Sequence, residues 1–439
     1  MSKPFLRLSP SMYSLLAQGA VFGFAFLIFL VLVRTLSPAD FGTWVLYQTL
    51  MTFAEMARMG FIQNGLVKFL VDHPGHRRAI IGSAYLLNLL AGLLFWLLFW
   101  GLSYPLSELW DAPGLVPLAL TYGLVMLSWG AFRFIEYILV ADRAFQGVFW
   151  AHLVNGSLYF AQVLALAWLT WLESPVQVLY LQSAAAALTV LGLGGVFRAK
   201  LRMSLPQRRW LRELAQYGRY AMGSSLGSVL LQRLDVLMLG YFMGPAAVAL
   251  YNIGTKLTNY LEIPLRAVSL VIFPRLSQTL QEKGPAGLAR FWERSASQML
   301  ALVLPPCLLL FPLAEPTIVL MAGQSYAEAA PVLQIFLLIA LLKPLGRLAG
   351  ISFDAIGQPK LNFRLVWLSL LLNLGWNFLF IPWLGVVGAA WATVISMLVT
   401  TGLGLRYLRR EVPLRLGAVL QGIPEEFRLQ GRKLLSRVG

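Results

Sequence analysis

Apolar runs of about twenty residues, separated by short polar stretches, recur along the whole chain. A helix rises about 1.5 Å per residue and the hydrocarbon core of a bilayer is about 30 Å thick, so each run is long enough to span. The runs fall near residues 13–33, 42–62, 79–101, 114–139, 147–171 and 175–197, and again near 216–239, 246–273, 297–322, 330–356, 362–382 and 385–407. This pattern predicts an all-α, polytopic membrane protein of about twelve transmembrane helices in two six-helix lobes. The first run is longer than the core of a signal peptide and reads as a retained helix. The longest polar connection lies midway and sets the expected division: an N-terminal lobe over 1–200, an inter-lobe linker over 201–212, a C-terminal lobe over 213–410 and a basic tail over 411–439.

A weak internal repeat supports two lobes. A shift of 207 residues carries Pro38 onto Pro245, Ala39 onto Ala246, Leu50 onto Leu257 and Glu55 onto Glu262. Apolar coincidences between membrane segments mean little, but a glutamate at the same depth in both second helices carries weight. Six helices before each repeat point give the halves the same direction across the membrane, a parallel duplication.

Composition agrees with the pattern. The chain has 439 residues, 58% of them hydrophobic and 12% charged, against roughly 25% charged in soluble domains. Its 35 Lys and Arg against 19 Asp and Glu give a formal charge of +16, which in a soluble protein would point to nucleic acid. Here most of the cations lie in alternate connections and in the tail. The opposite connections hold Arg34 beside Asp40, Glu108, Asp111, Glu173, Glu315 and Glu328. The positive-inside rule then places both termini in the cytoplasm and the chain in the cytoplasmic (inner) membrane, with no nucleic-acid partner. The tail alternates apolar and basic residues, which suits the inner membrane surface or a basic end that only fixes topology.

Cys307 is the sole cysteine, so an intrachain disulfide or a paired-thiol metal site is excluded. His73, His76 and His152 form no ligand motif, and no metal or cofactor is expected. No nucleophile or acid–base pair is evident either, which argues against an enzyme.

The informative residues are the charges at membrane depth, each costing about 2.5–3.5 kcal/mol on insertion scales. The cations are Arg58, Arg133, Arg219, Arg233, Lys256, Arg266, Lys343 and Arg347; the acids are Glu55, Glu136, Asp235, Glu262 and Asp354. Glu55 with Arg58, Arg133 with Glu136 and Glu262 with Arg266 have helical spacings of three or four and could neutralise each other. Arg219, Arg233, Lys256, Lys343 and Arg347 are left over. Two readings stay open: one cationic central cavity, or structural pairs and side chains that snorkel to the interface. The cavity reading makes Arg58, Arg133, Arg233, Lys256, Arg266, Lys343 and Arg347 candidate substrate-binding residues. Glu55, Asp235 and Glu262 are then candidates for ion coupling.

A cationic cavity suits a concentrated negative charge such as a diphosphate, whose oxygens fit the planar fork of arginine. Attached sugars would be held by Trp and Tyr rings and by amides such as Gln48, Asn64, Asn155, Asn252, Asn259 and Asn373. Gly19 with Gly23, and Gly223 with Gly227, set small residues four apart and would let helices approach closely. Pro305, Pro306, Pro312 and Pro316 predict a bend in the ninth helix.

The stretches LVRTLSPADFGTWVLYQTLMTFAEMARMGF, QRLDVLMLGYFMGPAAVALYNIGTKL and IFPRLS carry a resemblance. They resemble the oligosaccharide flippases, the O-antigen and polysaccharide exporters of the superfamily that also holds the multidrug and toxin extrusion proteins. The resemblance implies two six-helix lobes around a V-shaped cavity that opens alternately to each side. It also implies an undecaprenyl-diphosphate-linked oligosaccharide as cargo, with membrane lipid and other polysaccharide-assembly proteins as partners. A multidrug antiporter of the same superfamily is the alternative, but it would want acids in the cavity and residues 13–33 contain none. Peptidoglycan-precursor flippases resemble this chain too, but usually have about fourteen helices. A membrane polysaccharide polymerase or ligase would resemble others of its kind in a long external loop, and the external connections here are short.

Overall fold

The computed structural model describes residues 9–438; the side chains of 220, 221, 223–228, 231, 267, 270 and 429–438 lie outside that description. All regular structure among the described residues is helical. Helix α1 is Pro10–Thr35, α2 Pro38–Arg58, α3 Asn64–Asp72, α4 Arg77–Leu109, α5 Leu115–Ala141, α6 Phe145–Trp168 and α7 Pro175–Val196. Then come α8 Arg208–Leu310, α9 Ala314–Ala322, α10 Ala330–Ala355, α11 Pro359–Glu411 and α12 Leu416–Val438.

Three helices start at Ser-Pro. Ser9, Ser37 and Ser174 are N-caps whose hydroxyls accept a backbone N–H of the first turn, and Pro10, Pro38 and Pro175 follow at the position where no amide partner is missed. Ser174 adds a capping box, with the Gln177 side chain returning to the cap's own N–H. Helix α2 passes into α3 through a π-helical turn, Met59–Gln63, so the second spanning segment runs further than the expected 42–62 and takes in Lys68.

A 103-residue helix such as α8 would measure about 155 Å if straight, several bilayers. It is broken where Gly244 (φ 75°) and Gly284 (φ 62°) adopt left-handed backbone, and α11 is broken in the same way at Gly385 (φ 60°). Counted at these breaks, the described residues hold six spanning segments before residue 200 and six after 207. By length and apolarity alone seven qualify, or eight when a bent pair is counted as one span. The bent pair is Val271–Leu310 with Ala314–Ala322, at 79°. The bend expected from the four prolines therefore falls at residues 311–313, around Pro312, while Pro305 and Pro306 stay helical.

Contacts divide the chain into two compact units, Met1–Ala249 and Leu250–Gly439. In the first, α1 packs on α6, α4 on α5 and α5 on α7. A core of Ile62, Leu66, Ile80, Tyr137, Trp210 and Leu214 joins the start of α8 to α3, α4 and α5. The connection before α8 is fastened to α4: the Ser204 N–H donates to the Arg78 carbonyl at 3.1 Å and the Gln207 N–H to Ser83 Oγ at 3.0 Å. Among the described residues nothing lies within 4 Å of where a Cβ of Gly19 or Gly23 would sit, so no close approach at that pair is seen there. Gly223 and Gly227 lie where only the backbone is described, so the same test does not extend to them.

In the second unit α10 packs on α11, and Tyr251 meets Phe336 edge-on at 5.5 Å. The tail is docked. Glu426 accepts from Arg294 Nε and Gln298 Nε2, both at 3.3 Å, and the Ser297 hydroxyl donates to the Val419 carbonyl at 2.8 Å. The Arg415 N–H donates to Glu293 Oε1 at 2.7 Å. A carboxylate buried against an arginine and an amide holds α12 in one place, which neither surface alternative for the tail anticipated.

Candidate functional site

The membrane-depth charges gather into two clusters, one in each unit. The first lies on α2, α5 and α6. One terminal nitrogen of Arg58 donates to both oxygens of Glu55, at 2.7 and 2.6 Å, and the other reaches Asn88 Oδ1 on α4 at 3.4 Å. The Arg58 side chain is 1% exposed. Room for it comes from Gly130 on α5, where an added Cβ would stand 2.6 Å from Arg58 Nη1.

Three residues after Gly130, Arg133 pairs with Glu136 one turn on, and its guanidinium lies over the Tyr137 ring at 5.4 Å. The second oxygen of Glu136 meets His152 Nε2 of α6 at 3.3 Å. Two arginines thus face two glutamates, and the imidazole fills the spare acceptor. Arg58 and Arg133 are therefore locally paired, as their helical spacing allows.

The second cluster has one acid at its centre. Glu262 on α8 is 12% exposed and accepts from Lys343 Nζ of α10. Its Oε2 also lies 3.5 Å from Arg266 Nη2 and 3.7 Å from Arg347 Nη2. The spacing explains the convergence. Glu262 and Arg266 are four apart on α8, and Lys343 and Arg347 are four apart on α10, so each pair shares a helix face. Both pairs flank a proline, Pro264 and Pro344, which removes a backbone hydrogen bond and loosens the helix there.

Three cations on one carboxylate leave a surplus of two positive charges. Arg266 is 64% exposed, while Lys343 and Arg347 are at 22% and 28%. Positive side chains four residues apart on one helix repel, and Glu262 relieves that repulsion from within. An anion with several oxygens would relieve it as well.

The other candidates lie elsewhere along α8. Arg233, half-buried on α8 in the first unit, forms no hydrogen bond or ion pair among the described residues. Asp235 and Lys256 are also half-buried on α8. Of the amides, Asn155 is buried and bonds Thr189 Oγ1 at 3.5 Å, and Asn373 donates to Thr393 Oγ1 at 3.2 Å. Both hold helices together.

His152 belongs to no ligand motif in the sequence. The signal that could have found its partner is the short connection at residues 142–144 between α5 and α6. Such a connection makes antiparallel neighbours, and 136 and 152 are symmetric about 144. Gly130 and Asn88 gave no comparable signal. Lys343 and Glu262 are 81 positions apart, and nothing in the sequence joins them.

Comparison with known proteins agrees with this architecture. The chain is 27% identical over 233 residues to a probable low-salt glycan biosynthesis flippase, Agl15, of Haloferax volcanii, a match covering 53% of this chain and 49% of that one. It spans about half the length of the curated relatives it matches. Its fold matches the lipid II flippase MurJ in an inward closed conformation, with a TM-score of 0.71, 11% identity and coverage of 97% of this chain and 93% of that one. It matches an inward-facing multidrug resistance MATE transporter of the MOP superfamily nearly as well, at 0.70, 13%, 93% and 99%. The chain shares the fold of these two proteins, and that fold does not itself select a cargo. The family model described as "Polysaccharide biosynthesis protein" matches residues 31–331, and the chain belongs to that family.

Proposed function

We propose that this protein is a flippase that moves an undecaprenyl-diphosphate-linked oligosaccharide, such as an O-antigen, capsule or exopolysaccharide repeat unit, across the cytoplasmic membrane by alternating access. Both termini are taken as cytoplasmic, on the charge bias of the connections. The observation that carries the reading is the Glu262 cluster: three cations against one acid at membrane depth. A linking diphosphate brings about two negative charges and several acceptor oxygens, which match that surplus and suit charge-assisted bonds from arginine and lysine. Arg233, with no acid of its own among the described residues, and Lys256 are assigned to the same anion. The name of the Haloferax relative supports a glycan cargo.

In this mechanism the two expected lobes, 1–200 and 213–410, rock about the bound head while the isoprenoid tail stays in lipid at a lateral gap. Cargo drives such a change only by binding the two states unequally. Glu262 supplies the inequality: it competes with the diphosphate for Arg266, Lys343 and Arg347, so it holds the cations when cargo is absent and helps expel cargo at release. Ion coupling through Glu55, Asp235 or Glu262 belongs to the same proposal. It is checked by measuring translocation while the proton and sodium gradients are collapsed separately, and no effect from either rules coupling out. A multidrug antiporter would present uncompensated acid to a cationic drug, and Glu55, Glu136 and Glu262 each already face a cation.

The deciding experiment replaces Arg233, Lys256, Arg266 and Arg347 by glutamine and follows lipid-linked sugar in proteoliposomes. Loss of translocation by protein that still inserts and folds is expected. Normal translocation with all four replaced would sink the proposal.

A further inference from the structure

Outside the charge clusters, the first unit carries an apolar cavity of about 580 Å³ between α6 and α7, lined by Gln146, Trp150, Val154, Leu188, Gly192 and Val196 among others. From Gln146 to Val154 it follows α6 for about 12 Å, close to the depth of one leaflet's hydrocarbon. Trp150, Leu188 and Val196 are exposed along it, so it is open along its side.

One end of this groove is strongly basic. Arg143 adjoins Ala144 of the lining, Arg198 adjoins Phe197, and Arg77, Arg78, Lys200 and Arg202 lie in the same turns and helix end. The local acid is Asp142, and it is already taken: Arg77 donates to both its oxygens at 2.8 and 3.1 Å and Lys200 Nζ lies 3.4 Å away. Arg143 and Arg198 are exposed and have no acid partner among the described residues.

An apolar slot of leaflet depth that ends at uncompensated guanidinium groups is complementary to one kind of molecule. We infer that the α6/α7 groove binds an anionic phospholipid, its acyl chain along Trp150, Leu188 and Gly192 and its phosphate at Arg143 and Arg198. Basic pockets between membrane helices recognise anionic headgroups in this way, at about 1 kcal/mol per cation. The occupant is a bilayer lipid rather than cargo, because the rim offers cations and the single amide of Gln146, too little to hold a sugar chain.

Gly192 gives a clean test, because a Cβ added there meets nothing within 4 Å. The full chain is purified in detergent, and native mass spectrometry compares retention of phosphatidylglycerol and phosphatidylcholine with identical chains. Preferred retention of phosphatidylglycerol is expected. Arg143→Asn, which suits the left-handed backbone there (φ 54°), and Arg198→Gln should each lower that retention about fivefold. Gly192→Leu, which fills the slot, should lower retention of both lipids without changing the thermal unfolding temperature, and Gly192→Ala should leave both as they were. Equal retention of the two lipids, wild-type retention by Gly192→Leu, or displacement of phosphatidylglycerol by an equimolar polyprenyl phosphate would each overturn the assignment.

Discussion

Two glutamates stand at matching places in the internal repeat, Glu55 and Glu262, and they keep different company. Glu55 holds a fully buried Arg58 that Asn88 and the space at Gly130 fix in place, and the neighbouring Arg133, Glu136 and His152 complete a balanced set. Glu262 faces Lys343, Arg266 and Arg347 at once, and Arg266 is largely exposed. The two clusters thus differ in charge balance. In the proposed reading, the cluster in which cations and acids are equal in number positions helices, and the one in which cations exceed acids receives the anion.

The largest effect expected from this contrast is on stability in the first unit. Arg58→Met leaves Glu55 without its buried partner, and removing one member of a buried pair costs about 3–5 kcal/mol. Chemical unfolding in detergent should show that loss, while the fraction that remains folded translocates normally. Adding Glu55→Gln should recover most of it, since replacing a whole buried pair is often close to neutral. Failure of the second change to recover stability would mean that the pair does more than hold α2.

Next in size is the converse experiment in the second unit. Lys343→Gln with Arg347→Gln removes two cations and still leaves Glu262 its Arg266. Unfolding should change less than in Arg58→Met, because Glu262 keeps Arg266 as a partner. Translocation should fall about 100-fold, the equivalent of about 2.7 kcal/mol. A large stability loss with the transport of folded protein intact would reverse the roles assigned to the two clusters.

Gly130→Ala tests the enclosure of Arg58 directly. The methyl group would stand 2.6 Å from the guanidinium, and overpacking of that kind costs about 1–3 kcal/mol, read again by unfolding. The same substitution at Gly19, which faces open space, should be silent.

Glu262→Gln is the subtler probe of the second cluster. It keeps an oxygen for Lys343 but removes the charge that competes with the diphosphate. A soluble nucleotide diphospho-sugar should bind about tenfold tighter by calorimetry. Turnover should drop, because binding that stabilises the loaded state alone slows release.

Much of the fold was open to inspection in the sequence, for reasons that are local. Apolar length marks a span, Ser-Pro at 9–10, 37–38 and 174–175 marks a helix start, and Pro312 marks a bend. Helical spacing likewise exposed Glu55 with Arg58 and Arg133 with Glu136. What stayed hidden is what the chain assembles from distant pieces. Lys343 and Arg347 read as unexplained cations until α10 is laid against Glu262, and Gly130 is one glycine among 38 until Arg58 occupies the space beside it. The Gly19 and Gly23 pair shows the reverse error: spacing that permits close approach does not supply a neighbour.

His152 carries the smallest predicted effect and the sharpest test of the contrast. Glu136 is already paired with Arg133, and His152 Nε2 lies 3.3 Å from its second oxygen. His152→Gln keeps a polar side chain at that depth and removes the imidazole. If the first cluster is structural, stability should change by less than about 0.5 kcal/mol, the usual range for changes that spare buried partners. Translocation measured from pH 6 to 8 should then follow the wild-type profile. A cluster that took part in coupling would betray itself by a flattened or displaced profile in this variant. That result would move the coupling residues from the Glu262 cluster to Glu136 and its neighbours.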